Sequence, residues 1–493
     1  MKIYIFFNTE PNTNILGLHP IMRAFWSKEM EEFAGYRLPN FVYELEDGVF
    51  NAGCSRKEWE TMAKVLFKRF EQDHSFSDQV TSLLETRGQK LYDVCWQTIG
   101  EELDTEEKKK RILKLFKMYT DICVPGLIAP VIEFGIGGMS NKMAEILKTK
   151  DLESLGTSVS QALALLAQPG KATWTEEARD AVYELSQLVY ENNKEIIGLE
   201  DKLEEYIDDW GWVYYGYCGP KYTANNLKEE IQNILEKDTS PNEQLNRLRI
   251  DFCDKLKGQE ELINKLGLTE DEKFIVLAGQ DFGYTKAYRA NLMALVNFVI
   301  NDLLLEFTKQ EGYSLKQFGV CMLGEMIDYL EGKAKLPSVD ILNSRLEYCV
   351  LITSPKKDVL PHGDEAREWV KNNIEVEEVD IGVTELVGTV ACSGDEDKII
   401  GIASVVLKPN ELKKVRDGDI MVSTTTIPEY VSAMRRARAV ITETGGLTCH
   451  AAIVSREMGK PCIIGIKHLT KIIKDGEQIE VNLNKGIVKR IKF

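Results

Sequence analysis

The sequence predicts a multidomain α and α/β chain, with a large N-terminal domain that is mainly helical over residues 1–345 and all-helical over most of 55–335, a linker over 346–385 and a smaller domain of strands and helices over 386–493. Three observations carry this. From Ser55 onward apolar residues recur three and four positions apart, the period of helices with one buried face. From Val387 the pattern changes to short apolar runs punctuated by glycine and charge, which is how strands read. Between them, Pro355, Lys356, Lys357, Pro361 and Gly363 precede the acidic run Glu375–Asp380, the composition of a tether with one helix near Asp364–Lys371.

A chain of 493 residues can bury several cores, and 44% hydrophobic with 28% charged residues is a soluble composition. The net charge of −17, without a basic tail, argues against a nucleic-acid partner. Residues 405–493 carry 16 Lys and Arg against 9 Asp and Glu, so a basic C-terminal part follows an acidic body. That asymmetry favours phosphorylated ligands at the basic part, and differing solvated surfaces account for it equally well. Ten cysteines without a Cys-x-x-Cys pair or metal-like spacing read as reduced thiols of a cytoplasmic protein with no metal site. The apolar start Met1–Phe7 is too short for a signal peptide, and Pro125 and Pro130 interrupt the apolar stretch Ile122–Ile132, so no membrane partner is expected.

In order along the chain, residues 1–54 read as extended and irregular, with turn signals at Pro11, Asn12, Gly17 and Pro20 and His19 in a loop. Ser55 and Glu58 then suggest a capping box, followed by the apolar face Trp59, Met62, Ala63, Leu66, Phe67 and Phe70. Similar faces mark helices at Thr105–Thr120, Glu176–Asn193 (capped near Thr173 or Thr175), Asn226–Leu235 and Leu245–Lys257. Lys286–Phe307 is apolar almost all round and reads as the buried centre of the domain. Phe134–Gly138 reads as a helix-ending turn. In Trp210–Tyr217, aromatics around glycines either pack a core or line a pocket for an organic acceptor, with Trp212 and Tyr215 as the candidate substrate-binding residues. His362 falls in the linker.

Beyond it, strands are expected at Val387–Ala391, Ile399–Leu407, Asp419–Ser423 and Cys462–Ile466, with a closing hairpin of Gln478–Leu483 and Gly486–Ile491. Short helices are expected at Pro409–Val415 and at Glu429–Arg436, the latter started by Pro428. The stretch Ile441-Thr-Glu-Thr-Gly-Gly-Leu-Thr-Cys-His-Ala-Ala-Ile-Val-Ser-Arg-Glu457 reads as strand, glycine turn and helix. His450 falls in the first turn of that helix, beside unpaired N–H groups and the positive end of the dipole, where an anion is welcome. Neutral imidazole is also a competent phosphoryl acceptor. A structural histidine in a Gly-rich turn is the plainer alternative for one residue taken alone.

Gly445 to Glu457 followed by Gly459-Lys-Pro-Cys-Ile-Ile-Gly465 resembles the phosphohistidine signature of the phosphoenolpyruvate-utilising enzymes, which include phosphoenolpyruvate synthase, pyruvate phosphate dikinase and rifampicin phosphotransferase. Gly388 onward resembles their swivelling β/β/α domain. The resemblance implies that His450 carries phosphate, with Gly445, Gly446, Thr448, Cys449 and Arg456 around it. The helical part resembles the acceptor domain of the rifampicin phosphotransferase-like proteins, except that Trp212 and Val213 stand where a His-Arg pair would be. Relatives load the histidine from an ATP-grasp domain or a phosphoenolpyruvate barrel, and this sequence has room for neither. It therefore implies a dikinase-type phosphotransferase component, as in phenylphosphate synthase. A separate ATP-grasp protein would bring Mg2+ and ATP, and a small organic molecule would receive the phosphate. A non-enzymic phosphohistidine regulator is the competing reading.

Overall fold

The computed structural model describes residues 3–10, 13–46, 49–134, 138–375, 379–394, 396–426, 430–446 and 449–491. Its spine is one helix, Glu270–Glu311, closed at the start by a Thr269–Glu272 capping box and at the end by Gly312 in the left-handed region. Val276, Leu292, Leu295, Val296 and Leu304 on it are completely buried, as an all-round apolar pattern requires. The helices Phe76–Gly100 and Thr105–Gly126 pack along it. Gly88 permits the close approach, since a Cβ there would lie 2.6 Å from Leu292 Cδ1. Two helical spans, Thr105–Glu133 and Glu270–Glu311, are long and apolar enough to cross a membrane, and both bury most of that apolar length inside this fold.

The expected helices are all present. Arg56–Gln72 buries each of its six predicted core residues. Its Glu58 carboxylate accepts from the Tyr36 hydroxyl instead of closing a reciprocal box with Ser55. Trp174–Glu191, Glu200–Trp210 and Ala224–Leu235 form a satellite around Val182, Leu185, Leu203, Leu227 and Ile231. Thr173 caps the first of them by a reciprocal box with Glu176.

The N-terminal domain is not helical throughout: three strands within 1–54, read only as extended and irregular, and one within the predicted linker form a four-stranded antiparallel sheet. Its strands are β1 (Tyr4–Glu10), β2 (Phe41–Glu46), β3 (Val49–Cys54) and β4 (Tyr348–Thr353), in the order β1-β3-β2-β4. Phe41 pairs with Thr353 and Glu46 with Tyr348, so the two ends of the body are joined. Phe41, Tyr43 and Leu45 face the main core, whereas Val42, Tyr348 and Val350 face the helix Gly363–Asn373.

The turn signals near Pro20 are overridden as well. Ile15–Trp26 is a helix with Pro20 inside it, because Ile15, Leu18, Met22 and Phe25 bury against the core. His19 is therefore no loop residue. It is fully buried, accepts from Leu323 N at 2.9 Å through Nδ1 and donates through Nε2 to Asp358 Oδ2 at 2.9 Å.

The predicted linker 346–385 is mostly structure: β4 and Gly363–Asn373 belong to the body, and His362 Nδ1 bonds Ser344 Oγ at 2.8 Å. The backbone N–H of Glu375 still donates to Ile3 O. Before β4, the Arg345 guanidinium meets both Glu325 oxygens, at 2.7 and 2.9 Å, with Arg345 only 6% exposed. Arg345→Ala leaves a carboxylate stranded beneath the surface and is expected to cost about 3 kcal/mol by urea denaturation. The double variant with Glu325→Ala should lose less than the two single losses combined.

The C-terminal domain is close to its prediction. Its strands are β5 (Glu385–Val387), β6 (Thr389–Cys392), β7 (Lys398–Val406), β8 (Ile420–Ser423), β9 (Ala439–Thr442), β10 (Cys462–Ile464), β11 (Gln478–Asn482) and β12 (Ile487–Arg490). They are ordered β5-β12-β11-β7-β8-β9-β10-β6. β7 is shared: Lys398–Ile402 pairs antiparallel with β11, and Ala403–Val406 pairs parallel with β8. β7 to β10 run parallel, and both faces are covered. Ile420, Val422, Ala439 and Ile441 point to the domain's own core, while Met421 and Val440 point to the opposite face.

On that opposite face lie the helices Val431–Arg436 and His450–Glu457. Ala433, Met434, Ala451 and Ala452 merge there with the apolar core of the body. The domain is thus docked on the body, with the helix Val159–Leu166 against β6.

Candidate functional site

The site grows from the carboxyl ends of the parallel strands, the usual place for ligands in such sheets. After β9 the chain turns through Glu443–Cys449 and enters the helix at His450. Gly445 makes the turn at φ +124°, and a Cβ there would lie 2.7 Å from Cys449 Sγ, so no other residue fits. The loop is tied to the one following β8. Glu443 N donates to Ser423 O, and Thr444 donates to Thr424 O through both N and Oγ1, at 2.8 and 2.9 Å. Cys449 N closes onto Gly446 O at 2.9 Å, and the Glu443 carboxylate is taken up by Thr470 N and Oγ1.

The result is one defined imidazole. His450 Nδ1 lies 2.8 Å from Thr426 Oγ1. A hydroxyl that accepts the Nδ1 proton leaves the lone pair on Nε2, the nitrogen then available to react. Burial pulls the His450 pKa from 6.5 down to about 4, so the ring is neutral across the physiological range. The sign of the linked stability follows. The unfolded chain binds the proton more readily, so stability falls as pH drops through 6.5 towards 4. Between pH 7 and pH 5, wild type should lose about 2 kcal/mol more than His450→Gln in paired denaturation curves.

His450 opens onto a cavity of about 2650 Å³ between the docked domain and the helical body. Gly445, Cys449 and Arg456 line it from the domain side, and Tyr215 from the body. Tyr215 is 4% exposed, and its hydroxyl accepts from Asn301 Nδ2 at 3.1 Å. Burial pushes the Cys449 thiol upward and leaves it a packing group beside Gly445 rather than a thiolate. Gly446 is turned to the body instead, where a Cβ would lie 2.9 Å from Glu133 Oε1. Trp212 does not line the cavity. It is 2% exposed, donates Nε1 to Asp209 O at 2.8 Å and packs edge-on to Trp174, so it is core. Thr448 lies outside the described residues.

The resemblance to the swivelling domain runs through Thr426-Ile427-Pro428 without giving Thr426 a role, and sequence reasoning did not single out Lys286, Arg289 or Asn291. The first sits at the end of a parallel strand, one loop away from the histidine. The other three belong to the central helix and face the same cavity. Their only trace in the sequence is polarity at the start of an otherwise apolar run. Among the described residues no three His, Cys, Asp or Glu side chains converge to hold a cation.

With this geometry in view, residues 415–486 match the model of the mobile domain of PEP-utilising enzymes. A probable phosphoenolpyruvate synthase of Archaeoglobus fulgidus is 52% identical over 92 residues, 18% of this chain and 12% of that protein. The phosphoenolpyruvate synthase of Pyrococcus furiosus is 48% identical over 88 residues, 18% of this chain and 11% of that protein. A probable phosphoenolpyruvate synthase of Pyrococcus abyssi is 45% identical over 116 residues, 23% and 14% of the two chains. The chain therefore spans only about an eighth of the length of the curated relatives it matches. A solved structure, the holo-form of Thermococcus kodakaraensis aconitase X, covers 22% of this chain and 100% of its own, with TM-score 0.18 and 17% identity. That likeness is too slight to bear on the fold.

Proposed function

We propose, from the membership of residues 415–486 in the mobile-domain family of the phosphoenolpyruvate-utilising enzymes, that this chain is a phosphotransferase component carrying phosphate on His450. The observation that carries the reading is the placement of His450 at the mouth of a cavity whose other wall belongs to the helical body. Its neutral Nε2, oriented through Thr426, is the nucleophile. A separate ATP-grasp protein would hold Mg2+ and ATP: Nε2 attacks the β-phosphorus and AMP leaves, then water cleaves the terminal phosphate from the pyrophosphohistidine, so the β-phosphoryl group stays on His450. In the docked state an acceptor oxygen attacks that phosphorus in line, the P–N bond breaks, and the electron pair returns to Nε2. The acceptor proton passes to solvent or to the departing ring.

Positioning and neutralisation of charge supply most of the rate in such a transfer. Arg456 and Lys286, which both line the cavity and both act on Cys449, are the cations proposed to serve that purpose. The test is to mix the chain with a candidate ATP-grasp protein, sought among those encoded beside it, and ATP labelled at the β position. Label on the chain, discharged with AMP formation when an acceptor is added, supports the enzyme. Label that no cavity-sized acceptor discharges supports the regulator. An unlabelled chain rejects both.

A further inference from the structure

The central helix changes character where it passes beneath the docked domain. Gly283, Ala287, Ala290 and Ala294 make its cavity-facing stripe small, and Lys286, Arg289 and Asn291 rise among them. Small residues open the floor, and the cations give it a sign opposite to that of the protein. The chain as a whole carries −17, yet Arg179, Arg247 and Lys255 also line this cavity. Two cations on the floor are differently placed. Lys286 is near enough to Cys449 to favour its thiolate, which sets it beside the phosphohistidine loop. Arg289 acts instead on Tyr119 and Cys123 of Thr105–Gly126, farther into the body.

The Arg289 site is built. A Cβ at Gly126 would lie 2.5 Å from Arg289 Cδ, so the helix leaves a notch that the arginine stem fills. Arg289 Nε is buried without a hydrogen-bond partner. Asn291, 6% exposed, gives Nδ2 to Thr175 Oγ1 at 3.1 Å and leaves Oδ1 buried and unpartnered at the cavity wall. Buried polar atoms of this kind are costly unless something arrives to satisfy them. Beyond Arg289 the wall turns apolar, through Leu18, Ile21, Phe25, Phe41 and Leu127.

We propose that Arg289 forms an anion-recognition site, and that the molecule receiving phosphate is an organic anion with an apolar body. This rests on the phosphotransfer reading for the word "receiving" and on nothing else in it. The anionic group is the acceptor's own, since Arg289 lies deeper in the body than the loop that holds the transferred phosphoryl group. Its apolar part lies against Leu18, Phe25 and Leu127, and a polar group meets the Asn291 amide.

The experiment uses two fluorescent probes of nearly the same shape, 8-anilinonaphthalene-1-sulfonate and the uncharged N-phenyl-1-naphthylamine, titrated into the full unphosphorylated chain. Wild type is expected to bind the sulfonate about ten-fold tighter than the neutral amine, the size of one charge-assisted contact. Arg289→Met should remove most of that preference, leaving the affinity for the amine within about two-fold. Arg289→Lys keeps a cation on the same floor and should retain the preference within about three-fold, which separates loss of charge from loss of fold. Equal affinity for the two probes in wild type, or an undiminished preference in Arg289→Met, overturns the proposal. No nucleotide or partner is present, so failure of His450 to take up label would leave this result standing, and the reverse also holds.

Discussion

Replacing His450 by alanine is expected to leave the fold standing and to remove phosphoryl uptake altogether. The ring borders a cavity and, among the described residues, is held by a hydrogen bond to Thr426, so little packing is lost with it. The nucleophile, in contrast, has no substitute, and loss of a covalent route costs at least about 10⁴-fold in rate. Incubation with the ATP-grasp partner and β-labelled ATP should mark wild type with an acid-labile, base-stable label and leave His450→Ala blank. Thr426→Val should fall between them, about ten- to a hundred-fold slower, because the ring survives while its tautomer and angle are no longer held. A labelled alanine variant would move the phosphate to another residue and end the reading.

The second large effect is expected from a residue with no chemistry of its own. Gly445→Ala places a Cβ at a φ of +124° and within 2.7 Å of Cys449 Sγ. Conformational strain and the clash together should cost about 2–3 kcal/mol in the docked domain. The loop also sets where the His450 helix begins, so uptake should drop by about a hundred-fold even in the folded fraction. Trimming the thiol with Cys449→Ala in the same chain relieves part of the clash but not the backbone strain, and should restore little. Full activity in Gly445→Ala, read in the same labelling assay beside a melting curve, would show that the turn does not position the histidine.

The C-terminal domain was legible almost strand by strand because its signals are local. Ile399–Leu407, Asp419–Ser423 and the closing hairpin are short apolar runs between glycine and charged turns, and they match β7, β8, β11 and β12 within a residue or two. The strand-turn-helix around His450 was legible for the same reason, with Gly445 and Gly446 marking its turn. The N-terminal sheet was not, because its partners are remote: β2 and β4 meet across most of the chain, and neither alternates cleanly when both faces are buried. Pro20 signalled a turn by its own chemistry and was overruled by the burial of four neighbours. The aromatic stretch left core and pocket open because both use the same residues, and the two divide there: Trp212 packs inward while Tyr215 faces the cavity.

The absorption of β4 and Gly363–Asn373 into the body shortens the tether between the body and the docked domain. The body holds the chain as far as Glu375, and Arg490 of β12 grips it again at Ile381 and Val383, at 2.8 and 3.5 Å. About five residues lie between these anchors, a reach of roughly 17 Å at full extension. If the docked domain carries phosphate as proposed, so short a tether would have it turn on a pivot, with the radius of its own body setting the arc that His450 sweeps. On that reading the donor would have to come to rest within the arc, close against the flank of the helical body.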